Sequence, residues 1–407
     1  MRSLNCITHK RVAGRVVPTR ALRVALMVAL WVALWVAGSL GLAACTHRPP
    51  ERAPVDNLVP ALERLVRDTA AAEPRAPAVL LHVQAPRLPL RWQGAAGPAA
   101  NPAGQPAPSL RIASNTKTFV AAAVLRLVED GHLDLDTPLA RLSPPATVAT
   151  LRAAGYDVDR LTPLKLLQHT GGLRDYATLK AFLDRVSAAP QHRWTRAEQL
   201  QLAMIDGPPL AAPGIAFHYS DTGYILLGEV IETVTGQSMP RALAELLAYR
   251  RLGIHHTWFE TLEPSPASAS ARTLQLFDEV DAARFDPSID LFGGGGLVSN
   301  LDDLARFYRA VLRGEVFKRP GSTATMLAVS PQSLATGGSG YGMGIARLEH
   351  AGVICHGHGG FWGTDVWHCP AIDVTVAAAV TSTQSRAALR AMTVQAIGLA
   401  AQASLAR

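Results

Sequence analysis

Ser114 and Lys117 stand three residues apart at the start of a segment that reads as a helix. That spacing places two side chains on one helical face. A serine hydroxyl is a weak nucleophile at neutral pH and needs a base beside it. A lysine can be that base when burial and neighbours lower its pKa. A helix start also favours negative charge developing nearby. The plainer reading of the pair is a helix whose first turn is merely capped by Ser114. Two more clusters carry useful polar groups. Tyr219-Ser220-Asp221 follows a turn at Pro213-Gly214, and His358-Gly359-Gly360 falls in a strand-like stretch.

Other candidates carry less. His255, His256, His356 and His358 are possible metal ligands, but there is no His-Glu-x-x-His and no Cys/His spacing that fits zinc. No metal and no cofactor is expected. The run Gly293–Gly296 is not followed by the Lys-Ser/Thr of a phosphate loop. Trp362 either lines a cleft or packs a hairpin.

The elements that must position these groups alternate in kind. Apolar spacing predicts a helix over 57–75 and strands over 78–83 and 88–92. A Gly/Pro/Ala-rich loop spans 94–109, and a helix follows from Asn115 to Asp130, stopped by Gly131. The middle, about 135–270, is mostly helical, with joints at 168–175 and 212–219. One of its helices, 223–236, has an apolar face at Ile225, Leu226, Val230 and Val234. Beyond the glycine run come a helix over 301–312, short strands at 341–347, 353–357, 365–368 and 374–381, and a last helix over 384–404. Strands at both ends of a helical middle predict one sheet domain interrupted by an all-helical insertion.

With these pieces in order, the sequence resembles the serine β-lactamase and penicillin-binding-protein superfamily, in the branch of AmpC-like β-lactamases, D-Ala-D-Ala carboxypeptidases and esterases. That superfamily uses Ser-x-x-Lys, then Tyr-x-Asn or Ser-x-Asn, then Lys/His-Thr/Ser-Gly. Here Ser114 with Lys117, Tyr219 with Asp221, and His358 with Gly360 take those places. The segments 164–176, 213–228 and 295–306 are similar to further family signatures, so the likeness covers roughly residues 57–400. The resemblance implies an α/β sandwich, an antiparallel sheet flanked by helices, with a helical subdomain and the site between them.

The resemblance also implies roles. Ser114 attacks a carbonyl and becomes acylated, Lys117 takes its proton, and Tyr219 passes a proton to the leaving group. His358 joins the polar wall and, when protonated, binds a substrate carboxylate. Gly360 keeps the edge strand open, and the amides of Ser114 and Phe361 form the oxyanion hole. Expected substrates are D-alanyl peptides, β-lactams or small esters, the first derived from peptidoglycan. The alternative is a catalytically silent protein that keeps the fold for ligand or peptidoglycan recognition. Two positions depart from the pattern: Gly171 where Ser is usual, and Asp221 where Asn is usual. An ionised carboxylate cannot donate to a substrate carbonyl as an amide can. Asp221 can instead pair with Lys117, which weighs against amides and leaves esters.

The N-terminal segment reads as an address. Six of the 39 basic residues lie in 1–44, which contain no Asp or Glu, and without them the net charge of +7 nearly vanishes. With no dense basic stripe elsewhere, no nucleic-acid partner is expected. The uncharged apolar run 24–44 follows that basic stretch, as in an export signal, and ends in Leu42-Ala43-Ala44-Cys45. This resembles the bacterial lipobox, which implies lipidation at Cys45; the plainer reading is an uncleaved anchor of spanning length. The expected order is a lipoprotein signal peptide over 1–44, a tether over 45–56 and a hydrolase domain over 57–407. Export to the periplasmic face follows, with the lipid anchor in the cell membrane or the outer membrane, the outer one preferred in a Gram-negative cell because Thr46 is not Asp. Oxidising conditions there permit a disulfide between Cys355 and Cys369, placed symmetrically about Trp362. The other reading is two small buried thiols.

Overall fold

The computed structural model describes residues 57–100, 107–337 and 340–406. The leader, Cys45 and the tether lie outside these residues.

Six strands build one antiparallel sheet: β1 (Val79–Ala85), β2 (Leu90–Ala96), β8 (Ala346–His350), β9 (Val353–Gly360), β10 (Thr364–Cys369) and β11 (Val374–Val380). Their order is β2-β1-β11-β10-β9-β8, so the first two strands close against the last four. Val79 pairs with Val380 and Gln84 with Thr375, which brings the two ends of the domain together. β1, β10 and β11 are almost wholly buried, as strands covered on both faces should be.

One face is covered by α1 (Leu58–Ala72) and the last helix, Arg386–Leu405. Leu58, Leu62 and Val66 meet Met392, Ala396 and Ala400 in that layer. Behind the other face lies α2 (Thr116–Glu129), in which every residue except Val128 is buried. A helix buried on all sides belongs at the centre of a domain, and its charged Arg126 and Glu129 pair with each other there. Its alanines at 121–123 allow close approach by neighbours on several sides.

The helical region contains α3 (Pro145–Ala153), α4 (Pro163–Leu167), α5 (Lys180–Ala188), α6 (Arg196–Ile205), α7 (Asp221–Thr235), α8 (Met239–Leu246) and α9 (Tyr249–Leu252). It ends earlier than expected: residues beyond Gly253 run into β4 (Trp258–Phe259). β3 (Leu110–Arg111), β7 (Leu297–Ser299) and β4 form a small second sheet in the order β3-β7-β4. β5 (Leu276–Phe277) and β6 (Val280–Asp281) make a separate two-stranded piece. α10 (Leu301–Leu312) packs on the main sheet; α11 (Gly321–Leu327) and α12 (Pro331–Leu334) follow, and the closing helix is α13.

The strand expected at 341–347 begins only at Ala346. Gly344 has φ +67°, and a Cβ there would meet the Lys117 carbonyl oxygen at 2.6 Å. The chain must turn tightly past α2 before it can pair with β9. The next strand runs on to Gly360, three residues past its expected end, because Thr364 in β10 pairs with Gly360.

Candidate active site

Ser114 follows directly from β3, in a single 3-10 turn, Ala113–Asn115, ahead of α2. It is therefore not the cap of that helix. Ala113 has φ +45°, a conformation costly for a residue with a Cβ. The bend sets the Ser114 side chain back over the first turn of α2. There Lys117 Nζ donates to Ser114 Oγ at 2.9 Å.

Lys117 is fully buried, and its other partners come from distant segments. Nζ donates to the Gly294 carbonyl at 2.6 Å and forms an ion pair with Asp221 Oδ1 at 2.5 Å. It also lies over the rings of Tyr219 and Tyr224, 5.0 and 5.6 Å from their centroids. The first position of α7 supplies Asp221, and the extended residues just before it supply Tyr219. Tyr219 hydrogen-bonds to Ser114, and its phenol is held well above its ordinary pKa by burial and then by the Asp221 charge. It is a protonated phenol at neutral pH, suited to giving a proton. The Ser114, Lys117, Tyr219 and Asp221 side chains thus converge on one point.

His358 reaches the same cleft from β9. Its Nδ1 faces the Gly359 carbonyl at 2.7 Å and so must donate. Nε2 then accepts from the Tyr341 hydroxyl at 2.9 Å. Burial, with Lys117 nearby, lowers its pKa to about 3. This corrects the expectation of a protonated His358 binding a carboxylate. The ring is neutral and both nitrogens are occupied. Gly360 lies where a Cβ would meet the Ile112 carbonyl at 2.3 Å, so it lets the sheet edge close on the Ser114 turn. Phe361 follows at once and lines the cleft. Trp362 is buried in the core, yet it borders the cleft and donates through Nε1 to Asp290 at 3.0 Å.

Several groups at this site were not singled out by sequence. Asp175 accepts from the Asp221 amide at 3.1 Å. Its pKa is pushed up to about 8, by burial and then by Asp221. Asp290 is pushed up to about 7 for the same two reasons. Gly295 makes room for it: a Cβ there would meet Asp290 Oδ1 at 1.9 Å. His169, with φ +57°, accepts from the Ser220 amide at 3.2 Å and stacks near the Tyr219 ring. It is kept neutral by burial and then by Lys117. The only available sequence clue to Asp290 was its place just ahead of Gly293–Gly296.

Cys355 and Cys369 form a disulfide across β9 and β10. Among the described residues no group of three or more His, Cys, Asp or Glu could hold a metal ion.

A sheet with flanking helices and a Ser-Lys-Tyr cluster at its edge defines the serine-reactive hydrolase fold. A protein-family model described as Beta-lactamase matches residues 87–400, and the chain belongs to that family. It is 29% identical over 286 residues to a putative D-alanyl-D-alanine carboxypeptidase of Escherichia coli strain K12, covering 62% of this chain and 64% of that one. The esterase EstB of Burkholderia gladioli is also 29% identical, over 279 residues, with the same two coverages. The match thus spans just under two thirds of the length of these relatives. Among solved structures, a D-stereospecific amidohydrolase from Streptomyces sp. superposes with TM-score 0.69 at 25% identity, over 81% of this chain and 98% of that one. The octameric penicillin-binding protein homologue from Pyrococcus abyssi superposes with TM-score 0.67 at 23% identity, over 84% and 77%, and shares the fold.

Proposed function

We propose that the protein hydrolyses carboxylic esters through an acyl-enzyme on Ser114. The observation that carries this reading is the 2.9 Å contact between Lys117 Nζ and Ser114 Oγ in a buried site. In the reaction Ser114 Oγ bonds to the acyl carbon, and Lys117, in its amine form, takes the hydroxyl proton. Tyr219 gives its proton to the departing alkoxide as the ester bond breaks and is reprotonated from Lys117. Water then attacks the acyl-enzyme, gives up a proton through the same pair, and releases Ser114 with the free acid. The Ser114 and Phe361 amides are the proposed oxyanion hole.

Two features favour esters over D-alanyl peptides and β-lactams. Neutral His358 offers no charge to a substrate carboxylate. Arg386 does reach the cleft, but it lies over Phe361, 5.3 Å from the ring centroid, and faces the Asp278 charge. A substrate carboxylate would have to compete with Asp278. Asp221, paired with Lys117, has no donor for an amide substrate's carbonyl.

One observation favours a silent binding protein: Lys117 Nζ, beside the nucleophile, is engaged by Asp221 in a buried ion pair at 2.5 Å. The two readings separate in one experiment. Full-length wild-type and Ser114→Ala proteins are incubated with p-nitrophenyl acetate, a fluorescent penicillin and a D-alanyl-D-alanine peptide. Turnover and intact mass are followed together. Ester turnover and a transient Ser114-dependent acyl adduct are expected. Folded protein that shows neither, yet binds ligand equally well as Ser114→Ala, would establish the silent reading instead.

We also propose that the mature chain is exported and lipid-anchored at Cys45, a reading supported by the apolar run 24–44 and the small residues before that cysteine. Metabolic labelling with a palmitate analogue should mark wild type and leave Cys45→Ser unmarked.

A further inference from the structure

The cleft over Ser114 encloses about 510 Å³, far more than a small acyl group fills. Its wall on the helical side is apolar. Leu179, Phe182 and Leu183, from the start of α5, line it together with Leu210, in the same cleft as Ser114. Phe182 is held there by an edge contact to Tyr176 and a tilted one to Trp194, so the wall is a preformed surface. Leu210 is itself held in place by its amide, which donates to the Gly172 carbonyl at 2.9 Å.

The apolar surface continues out of the cleft. Among the described residues eight large apolar side chains are well exposed; of these Leu210 lines the cleft, and Ile205, Ile215 and Leu334 lie one or two residues along the chain from the lining residues Asp206, Phe217 and Ser333. Gln332 donates to the Gly214 carbonyl at 2.7 Å, which ties the short helix bearing Leu334 to the turn bearing Ile215. Single exposed apolar residues are ordinary, whereas a group at one cleft mouth marks a binding surface. The charges near the mouth are met within the protein, as in the 2.8 Å pair of Arg174 and Asp206.

We infer that the substrate is an ester bearing a long aliphatic chain, which lies along Leu179, Phe182, Leu183 and Leu210 with its carbonyl at Ser114. The chain crosses the mouth between Ile215 and Leu334. This inference rests on the ester-hydrolase reading and narrows it to lipid-like substrates. Water released from both surfaces drives binding, and the benefit grows with chain length.

The test is a chain-length series on the full-length protein in nanodiscs, from p-nitrophenyl acetate through butyrate to octanoate, each below its solubility limit. A parallel series of acetate esters of short to long alkanols covers a chain on the alcohol side. Each buried methylene contributes about 0.8 kcal/mol, or about fourfold in rate constant. A rise in kcat/KM on the order of a hundredfold along one series is expected if three or four methylenes seat. Ile215→Asp and Leu334→Asp lie at side chains 68% and 52% exposed, so both variants should fold. Each should cut the long-to-short ratio about tenfold, as should Leu183→Asp on the wall. Flat series with normal acetate turnover would overturn the inference and leave the hydrolase reading standing. Ratios unchanged in all three variants would overturn it too. No turnover of any ester, with no fluorophosphonate adduct on Ser114, would overturn both.

Discussion

Lys117 has two kinds of duty, and a substitution can separate them. It touches the nucleophile, and it neutralises a nearly buried carboxylate, Asp221, at 2.5 Å. Breaking a buried ion pair from one side leaves the other charge without its partner and costs about 3–5 kcal/mol. Lys117→Met should therefore lose both ester turnover and stability of that order, read by urea unfolding. The double variant Lys117→Met/Asp221→Asn should recover most of the stability and none of the turnover. If the single variant were as stable as wild type, the ion pair would carry little energy. If the double variant regained activity, Lys117 would not be the base. At this scale the sequence disclosed residues whose spacing alone suggests chemistry. Ser114 and Lys117 share a turn, and Tyr219 and Asp221 sit two residues apart. It did not disclose Asp175 and Asp290, lone aspartates in unrelated joints whose importance comes only from packing around the same lysine. The glycine run was legible as backbone freedom, not as the source of a carbonyl for Lys117 and a recess for Asp290.

The elements that hold these residues are joined at close approaches with little tolerance. The turn before β8 passes α2 at Gly344, where a Cβ would meet both the Lys117 carbonyl, at 2.6 Å, and Ala121 Cβ, at 2.7 Å. Neither neighbour is a flexible side-chain end, and φ +67° disfavours any L side chain. Gly344→Ala should cost about 1–3 kcal/mol by overpacking and lower kcat more than it raises KM, because the shift is transmitted to the first turn of α2. A drop in stability with unchanged kcat would show that the turn does not set the lysine. The β9–β10 hairpin is fixed differently, by the Cys355–Cys369 disulfide, with a sequence separation of 14 residues. Closing a loop of about 15 residues stabilises by about 3 kcal/mol in the chain-entropy treatment. Replacing both cysteines by alanine should lower stability by up to that amount and loosen His358 and Gly360. An unfolding midpoint unmoved by the double replacement would mean the strand pairing alone closes the hairpin. Helices α1 and α7 were legible from their apolar spacing, and α1 buries one face at Leu58, Leu62 and Val66. The strand ends near residues 341 and 360 were not, because tertiary pairing with β9 and β10 sets them and local propensity does not.

For the molecule as a whole, burying so many titratable groups makes stability depend on pH in two opposed ways. His82, His356 and His368 are pushed down to about 4, and His358 to about 3, from an ordinary 6.5, in each case first by burial. Between those values and 6.5 the folded chain binds fewer protons than the unfolded one, so stability rises with pH across that window. Asp175 and Asp290 act oppositely. Their pKa values, raised from 3.8 to about 8 and about 7, mean that the folded chain binds more protons. Stability from these two falls as pH rises through 7 and 8. Below 6.5 the lowered histidines, His169, His218 and His350 among them, oppose the raised carboxyls; above it the histidines drop out while Asp175 and Asp290 still titrate, so Tm should decline from pH 6.5 toward 8. Asp290→Asn removes one of the two declining contributions and should flatten the alkaline side. A Tm that kept climbing from 6.5 to 8 would mean that both carboxyls are already ionised. Their donors, the Asp221 amide for Asp175 and Trp362 Nε1 for Asp290, with the Arg111 charge near Asp290, would then hold both as anions.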